Sequence, residues 1–376
     1  MRRDGRGHDT DAASMIYHYP LAPDPPTSGS RVHLAQMLQG FREIGYAVTP
    51  MMGSADARVS AWAQIRTEAA QGRRFDFAYI RSPIVPTFRA RRNTLRPWVD
   101  PAFFAWCRRN GIPTGLFYAD VHYRLDHFRA NVRWPDRDLM QLLFWLDWFV
   151  YRRFVDHLFL PSLRLAALLP TPWPAERMSA LWPGCPTPSI ARAAGRDGDL
   201  KLFYVGGIVP PLYDLKPMVD AISQVPGVCL TLCCRADEWA KRGSYYGTLD
   251  PAHVRIIHES GEGLRTYYEA ADAFCMFWRH PYMDMAMPVK IFEALGHGLP
   301  LITAAGTEPA RFVNEVGVGW MPDSSEEFRR LLMHLRDERQ EIAEMQRRAE
   351  AIRGQHTWQA RARQVANTLQ GTKRPD

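Results

Sequence analysis

Short apolar runs alternate with longer stretches of mixed polarity along most of the chain, and the two spacings predict different elements. Runs at 15–19, 46–49, 75–81, 114–118 and 157–160 are expected to be strands. Between them, 29–45 reads as a helix with Val32, Met37, Phe41 and Ile44 at its apolar positions and Gly45 at its end. Further helices are expected around 57–70, at 100–110 and at 136–154. The alternation restarts with a strand at 200–205, then strands at 229–233, 254–258, 273–277 and 299–303. Helices at 212–223, 263–271 and 288–295 fall between those, and a helical stretch rich in Glu and Arg runs from 324 to 353. Strand and helix in turn are the pattern of a parallel sheet wrapped by helices, here an α/β protein of two Rossmann-like units.

Pro, Gly and small residues gather at 183–199, which marks the boundary. The expected divisions are a disordered leader at 1–14, a first domain at 15–185, a linker at 186–199 and a second domain at 200–354. A final helix and tail at 355–376 are expected to pack back on the first domain. The leader is polar and lacks an apolar core, so it is no secretory signal, and Met15 is an alternative start. No apolar run approaches the roughly 18–20 residues a bilayer span requires. The chain is therefore expected in the cytoplasm, with peripheral attachment to the inner membrane face as an option.

Charge separates the halves more than composition does. Residues 1–185 carry 24 arginines and no lysine against 16 acidic residues, whereas the remainder is close to neutral. A basic front half suits an anionic partner: a phosphate-bearing substrate, a membrane surface or a nucleic acid. The arginines are not interleaved with any recognisable nucleic-acid module, so no nucleic-acid partner is expected. The six cysteines show no Cys-x-x-Cys spacing and are expected to be reduced and buried.

Several chemistries are tested by their motifs. The chain has no Gly-x-Gly-x-x-Gly after a strand, no P-loop, no His-Glu-x-x-His and no Gly-x-Ser-x-Gly. Its Asp-x-Asp pairs fall in the leader, at a helix start and in the linker, where no metal is needed to explain them. No metal or cofactor is expected. The most informative stretch is Pro288-Val-Lys-Ile-Phe-Glu-Ala-Leu-Gly-His-Gly-Leu-Pro-Leu-Ile302. Pro288 suits a first helical turn, and Lys290 and Glu293, three apart, share a face. A helix amino end with a lysine in its first turn suits a diphosphate, and a carboxylate one turn on can accept from a ribose diol. An ordinary surface Lys–Glu pair would have the same spacing. Gly206 and Gly207, at a strand end, let the backbone approach a ligand closely. Glu259-Ser-Gly-Glu-Gly263 could read a base or be a plain turn, and Tyr282 could lie on a sugar or pack in the core. Asp120 and His122 follow a strand end, where Asp120 could orient or deprotonate an acceptor hydroxyl and His122 could touch a sugar or phosphate. Arg31, beside Gly29 and Ser30, is a phosphate-reaching candidate.

The 288–302 stretch resembles the donor-binding segment of GT-B glycosyltransferases, especially those like family 4. Leu202-Phe-Tyr-Val-Gly-Gly-Ile208 with Tyr213-Asp-Leu-Lys-Pro217, and Leu264-Arg-Thr-Tyr-Tyr-Glu-Ala-Ala-Asp-Ala273, resemble other parts of that family's C-terminal domain. Gly29-Ser-Arg-Val32 and Gly111-Ile-Pro-Thr-Gly-Leu-Phe-Tyr-Ala-Asp120 resemble its first glycine loop and acceptor-side strand. The resemblance implies a GT-B fold, two Rossmann-like domains facing each other across a cleft. It also implies metal-independent transfer from a nucleotide-sugar to a glycan or lipid-linked acceptor with retention, in surface or exopolysaccharide assembly. Donor binding would fall to Gly206, Gly207, Arg235, Tyr282, Lys290 and Glu293. Two departures stand out. The family's first glutamate position holds Met285, next to Asp284, and the glycine turn continues into Ile208 rather than an arginine. Phosphate charge then rests on Lys290, helped by Lys216 or Arg235. A nucleotide-sugar epimerase on the same architecture and a non-catalytic GT-B-like scaffold are the alternatives.

The helix at 136–154 is apolar on more than one face. Leu139, Leu142, Leu143, Leu146 and Val150 repeat at core spacing, while Phe144, Trp148 and Tyr151 form an aromatic row elsewhere. Aromatics beside arginines suit an anionic membrane surface, and a helix buried on both sides would carry the same pattern. The Arg89, Arg91, Arg92 and Arg96 cluster could meet headgroups or a lipid-linked diphosphate, or be a solvated loop.

Overall fold

A computed structural model describes residues 13–22, 29–87, 96–124, 135–186 and 198–372. The chain divides into two compact units, one of residues 1–182 with 361–376 and one of residues 183–360. Residues 1–12 of the expected leader, most of the linker, and Arg89, Arg91 and Arg92 lie outside the described residues, while Ser14, placed in the leader, opens the first strand; Arg96 lies within the described residues and pairs with Asp56 at 2.7 Å.

Unit 1 holds β1 (Ser14–Tyr19), α1 (Gly29–Glu43), β2 (Ala47–Met52), α2 (Ala55–Ala70), β3 (Phe77–Arg81) and α3 (Val99–Arg109). It continues through β4 (Thr114–Phe117), α4 (Asp136–Phe154), β5 (His157–Leu160) and β6 (Met178–Ala180). The strands form one parallel sheet in the order β2-β1-β3-β4-β5-β6. β1, β3, β4 and β5 are buried throughout. That burial explains why they read as continuous apolar runs rather than as alternations. β2 accommodates Pro50 because it is an edge strand, where a missing N–H leaves no ladder bond unmade.

α4 has the expected span, but its faces are the reverse of the expectation. Phe144, Asp147, Trp148 and Tyr151 are buried, whereas Leu139, Leu142 and Leu146 are exposed. The aromatic row is the core. Phe144 stacks on Tyr123 at 4.0 Å, and Trp148 packs between Tyr118 and Trp173 while its indole N–H donates to Thr171 Oγ1 at 2.9 Å. Rings of this size bury more apolar area than leucines, and a satisfied indole N–H removes the cost of enclosing a polar atom.

Unit 2 holds β7 (Leu200–Val205), α5 (Lys216–Ile222), β8 (Val228–Cys233), α6 (Ala236–Arg242), β9 (Val254–Ile257) and α7 (Arg265–Ala270). It continues with β10 (Ala273–Met276), α8 (Val289–Gly296), β11 (Leu301–Thr303), α9 (Glu308–Val316), β12 (Gly319–Trp320), α10 (Ser325–Asp337) and α11 (Arg339–Ile352). Its parallel sheet runs β12-β11-β10-β7-β8-β9, so the strand order reverses between β7 and β10. The chain leaves this unit within α12 (Trp358–Gln370). Leu369 of α12 lies so close to β4 that a Cβ on Gly115 would meet its Cδ1 at 2.9 Å. Gln364 donates to Ala180 O at 2.7 Å and Gln370 to Tyr46 Oη at 2.9 Å, so the C-terminal segment is part of unit 1. Among the described residues no helix is long and apolar enough to cross a membrane. All six cysteines are free thiols.

Candidate functional site

In a doubly wound sheet, ligands lie beyond the strands' carboxyl ends where the order reverses. In unit 2 that place is the end of β7 and the helix after β10. β7 runs directly into Gly206-Gly207, and Tyr204 Oη donates to Gly207 O at 2.8 Å, which pins the turn. Lys290, the second residue of α8, lays its ammonium against that turn: a Cβ on Gly206 would stand 1.8 Å from Nζ. Only glycine leaves the space. The ammonium sits over the rings of Tyr204 and Tyr213, 5.2 Å and 5.6 Å from their centroids. Among the described residues it has no ion-pair partner. Burial, with the Arg235 charge adding to it, brings its pKa down to about 8, while Glu293 and Glu238 pull the other way. A half-buried cation held by aromatic faces suits an anion. The α8 amino end beside it has Pro288 as cap residue and no side-chain cap bond.

Glu293 lies one turn further along α8. Tyr268 donates to its Oε2 at 3.2 Å, and the Tyr268 ring is itself fixed by stacking on His297 at 4.5 Å. Burial pushes the Glu293 carboxyl up, against the pull of Tyr268 and Lys290. The arrangement sets a cation and an oriented carboxylate one helical turn apart.

Other expected donor residues are placed differently. Arg235 follows β8, is largely exposed and pairs with Glu238, yet its charge is felt at Lys290. Glu238 escaped the sequence reading. Its Oε2 is enclosed and accepts no bond among the described residues, and its charge is felt at the lysine. Lys216 is occupied by Asp220 at 3.0 Å within α5. Tyr282 lies half-buried in the turn Pro281–Asp284 that leads towards α8, its N–H donating to His280 Nδ1 at 3.1 Å. Met285 is half-buried and Asp284 exposed, so the acidic side chain next to the departed position points into solvent. The 259–263 segment is an exposed turn.

In unit 1, Gly29, Ser30 and Arg31 form the first turn of α1. His122 begins the short turn His122–Arg124. The side chains of these residues lie outside what the structure describes. Asp120 is half-buried just beyond β4, where the Ala119 N–H donates to Ser82 Oγ at 3.0 Å and ties that strand end to β3. The sheet order reverses between β1 and β3, and there the structure shows a residue the sequence reading missed. Arg81, the last residue of β3, is buried, and among the described residues its Nε has no partner and no carboxylate pairs with it. Its guanidinium lies over Tyr19 at 5.5 Å. Burial and then the Arg81 charge hold His33, stacked on Phe117 at 4.3 Å, well below the usual histidine range. An enclosed guanidinium without a counter-charge is costly, and it makes this strand end electropositive. Nearby, His18 and Arg58 both bond the buried Asp100 at 2.8 Å, a closed network that braces the loops after β1 and β2.

Residues 216–367, which include Lys290 and Glu293, match the sequence model of a glycosyl transferase-like family. No curated protein matches the chain by sequence. Solved structures do match its fold. Anabaena Alr3699/HepE in complex with UDP and glucose superposes with a TM-score of 0.61 at 14% identity, covering 96% of this chain and 100% of that one. WaaG, a glycosyltransferase involved in lipopolysaccharide biosynthesis, gives a TM-score of 0.54 at 13% identity, covering 96% and 100%. The fold is GT-B. Sucrose-phosphate synthase from Thermosynechococcus elongatus shares it, with a TM-score of 0.58 at 12% identity over 94% of this chain and 98% of that one. The matched residues 216–367 fall mostly in unit 2 and include the Lys290–Glu293 turn.

Proposed function

We infer that this protein is a glycosyltransferase that moves a sugar from a nucleotide-sugar donor to a glycan or lipid-linked acceptor. The observation that carries the reading is the Lys290 ammonium, half-buried against Gly206 with no ion-pair partner among the described residues, one turn before a carboxylate oriented by Tyr268. The glycosyl transferase-like match over 216–367 and the fold shared with HepE, which is seen with UDP and glucose, support the donor class.

Departure of a nucleoside diphosphate leaves positive charge at the anomeric carbon and negative charge on the β-phosphate. Lys290 and the α8 amino end stabilise that leaving group as its charge grows, because they are fixed in a low-dielectric setting beforehand. Glu293 accepts from the ribose hydroxyls and holds the nucleoside in register. In this reading Lys290 takes the role a divalent cation fills elsewhere, so transfer is metal-independent. Asp120 of unit 1 orients the acceptor hydroxyl or takes its proton, and transfer proceeds with retention of configuration. The setting is surface or exopolysaccharide assembly in the cytoplasm, at the inner face of the membrane.

Calorimetry with UDP, GDP and ADP tests the site. One of the three is expected to bind, and Lys290→Ala and Glu293→Ala are each expected to weaken it by about tenfold or more, the loss of one charge-assisted contact. Unchanged affinity in both folded variants would remove the assignment.

A further inference from the structure

The face of α4 turned away from the core is a continuous apolar stripe. Leu139, Leu142, Trp145, Leu146 and Phe149 are 46–71% exposed, and Phe149 is the most exposed of them. At 100° per residue they fill an arc of about 120° opposite the buried aromatic row, and they extend ~15 Å along the helix. Of the ten large apolar side chains that stand out among the described residues, five are on this one helix. Single exposed apolar residues are ordinary, but a contiguous stripe marks a contact surface.

Charge at the end of the stripe selects the partner. Arg152 and Arg153 follow Phe149 by three and four residues, so they flank the stripe one turn on. Neither has a carboxylate partner among the described residues. Arg152 lies over Trp173 at 5.1 Å, Arg177 over the same ring at 5.9 Å, and Arg108 donates to Arg153 O at 2.9 Å. Four arginines thus gather at the carboxyl end of α4. At its other end Asp138 is paired with Arg137 at 3.0 Å. Aliphatic and aromatic side chains that enter a bilayer, bordered by long cationic side chains that reach back to headgroups, fit a lipid surface carrying negative charge.

We propose that the outer face of α4, from residue 139 to 149, lies in the plane of an anionic membrane surface, with Arg152 and Arg153 on its headgroups. The stripe inserts and the arginines select charge, so unit 1 is held at the bilayer. This is independent of the nucleotide site.

Flotation of the full chain with vesicles of phosphatidylcholine alone, or mixed with phosphatidylglycerol, is the test. Binding to the mixed vesicles is expected. Leu142→Ser with Phe149→Ser should reduce it by about tenfold or more, since two large apolar side chains no longer enter the interface. Arg152→Gln with Arg153→Gln should abolish the preference for the anionic lipid. Brominated acyl chains should quench the tryptophan emission of the bound chain, and Trp145→Phe should remove most of that quenching. All these positions are at the surface, and near-ultraviolet dichroism checks that the variants remain folded. Absence of flotation, or equal flotation of the serine variant, would overturn the proposal. So would a lipid-free dimer that the serine variant dissociates, because the stripe would then belong to a second copy. A chain that floats but binds no nucleoside diphosphate would leave this proposal standing and defeat the glycosyltransferase reading.

Discussion

Lys290 connects a single glycine to a pH dependence. A side chain at Gly206 would occupy the position of Nζ, so the strand end can hold the ammonium only because residue 206 has no Cβ. Enclosure there brings the pKa from 10.5 to about 8. For a base depressed on folding, the unfolded chain binds the proton more tightly, so stability falls as pH drops from 10.5 to about 8 and is level below. A bound diphosphate reverses the penalty by supplying the missing counter-charge. Binding therefore selects the protonated lysine, and affinity for the nucleoside diphosphate that binds should fall about tenfold between pH 7 and pH 9, as the protonated fraction does. Proton uptake near pH 8 should show as a binding enthalpy that varies with the buffer's ionisation heat. Lys290→Met should bind weakly with a flat profile across that range. A sloping profile in that variant would assign the titration elsewhere. Lys290 and Glu293 were legible in the sequence because their relation is local, three residues on one helix. Arg81, Glu238, Tyr204 and Tyr268 were not. Each acquires its meaning from residues brought beside it by the sheet order, and no local spacing records that Tyr268 meets Glu293 or that Arg81 ends a strand at a reversal point.

Among the elements, α4 shows where hydrophobic patterning stops being decisive. Its ends follow the sequence expectation, because Pro135 precedes the helix and Val155 leaves it in an extended conformation. Its orientation does not, because leucines and aromatics occupy opposite faces and periodicity cannot rank them. The buried polar residue ranks them: Asp147, on the aromatic face, accepts from the Thr87 N–H at 2.7 Å and fixes which side is inside. Strands were read more securely, since buried parallel strands are apolar on both faces. β6, β12, α6 and α9 were not recovered, the first two because strands of three and two residues carry almost no pattern. α9 is specified by its ends instead, with Thr307 Oγ1 accepting from Ala310 N and Gly317 left-handed at φ 67°. Asp147 also gives α4 a measurable signature. Burial raises its pKa from 3.8 to about 7. For an acid raised on folding, the unfolded carboxyl ionises first, so stability present below about pH 4 is lost as pH climbs to about 7 and is level above. Asp147→Asn keeps the acceptor for Thr87 and removes the titration. The variant's stability relative to the parent should grow between pH 4 and pH 7, by roughly 4 kcal/mol at most, and then hold constant. Denaturant titrations at a series of pH values measure this, and a difference independent of pH would mean that Asp147 is not enclosed as described.

For the whole molecule, the consequence lies in the path of the chain. It passes from unit 1 to unit 2 near Pro183 and returns within α12, so the last residues complete the first unit rather than trail from the second. Leu369 against β4, Gln364 on Ala180 O and Gln370 on Tyr46 make residues 361–372 a structural part of the unit that also carries Asp120 and α4. The residues proposed to hold the donor, Gly206, Lys290 and Glu293, all belong to the other unit. Ligand and truncation should therefore act on different halves. In differential scanning calorimetry, the nucleoside diphosphate that binds, at a hundredfold excess over its Kd, should stabilise unit 2 by about 2.7 kcal/mol, because it binds only where that unit is folded. Removal of residues 361–376 should lower the transition of unit 1, because Leu369 no longer covers the β4–β5 surface and two polar bonds lose their donors. Hydrogen exchange read peptide by peptide separates the two events, since peptides of 144–173 report unit 1 and peptides of 289–303 report unit 2. If the nucleotide instead raised the transition that truncation lowers, it would be bound by unit 1, and the role given to Lys290 would have to pass to the electropositive strand end at Arg81.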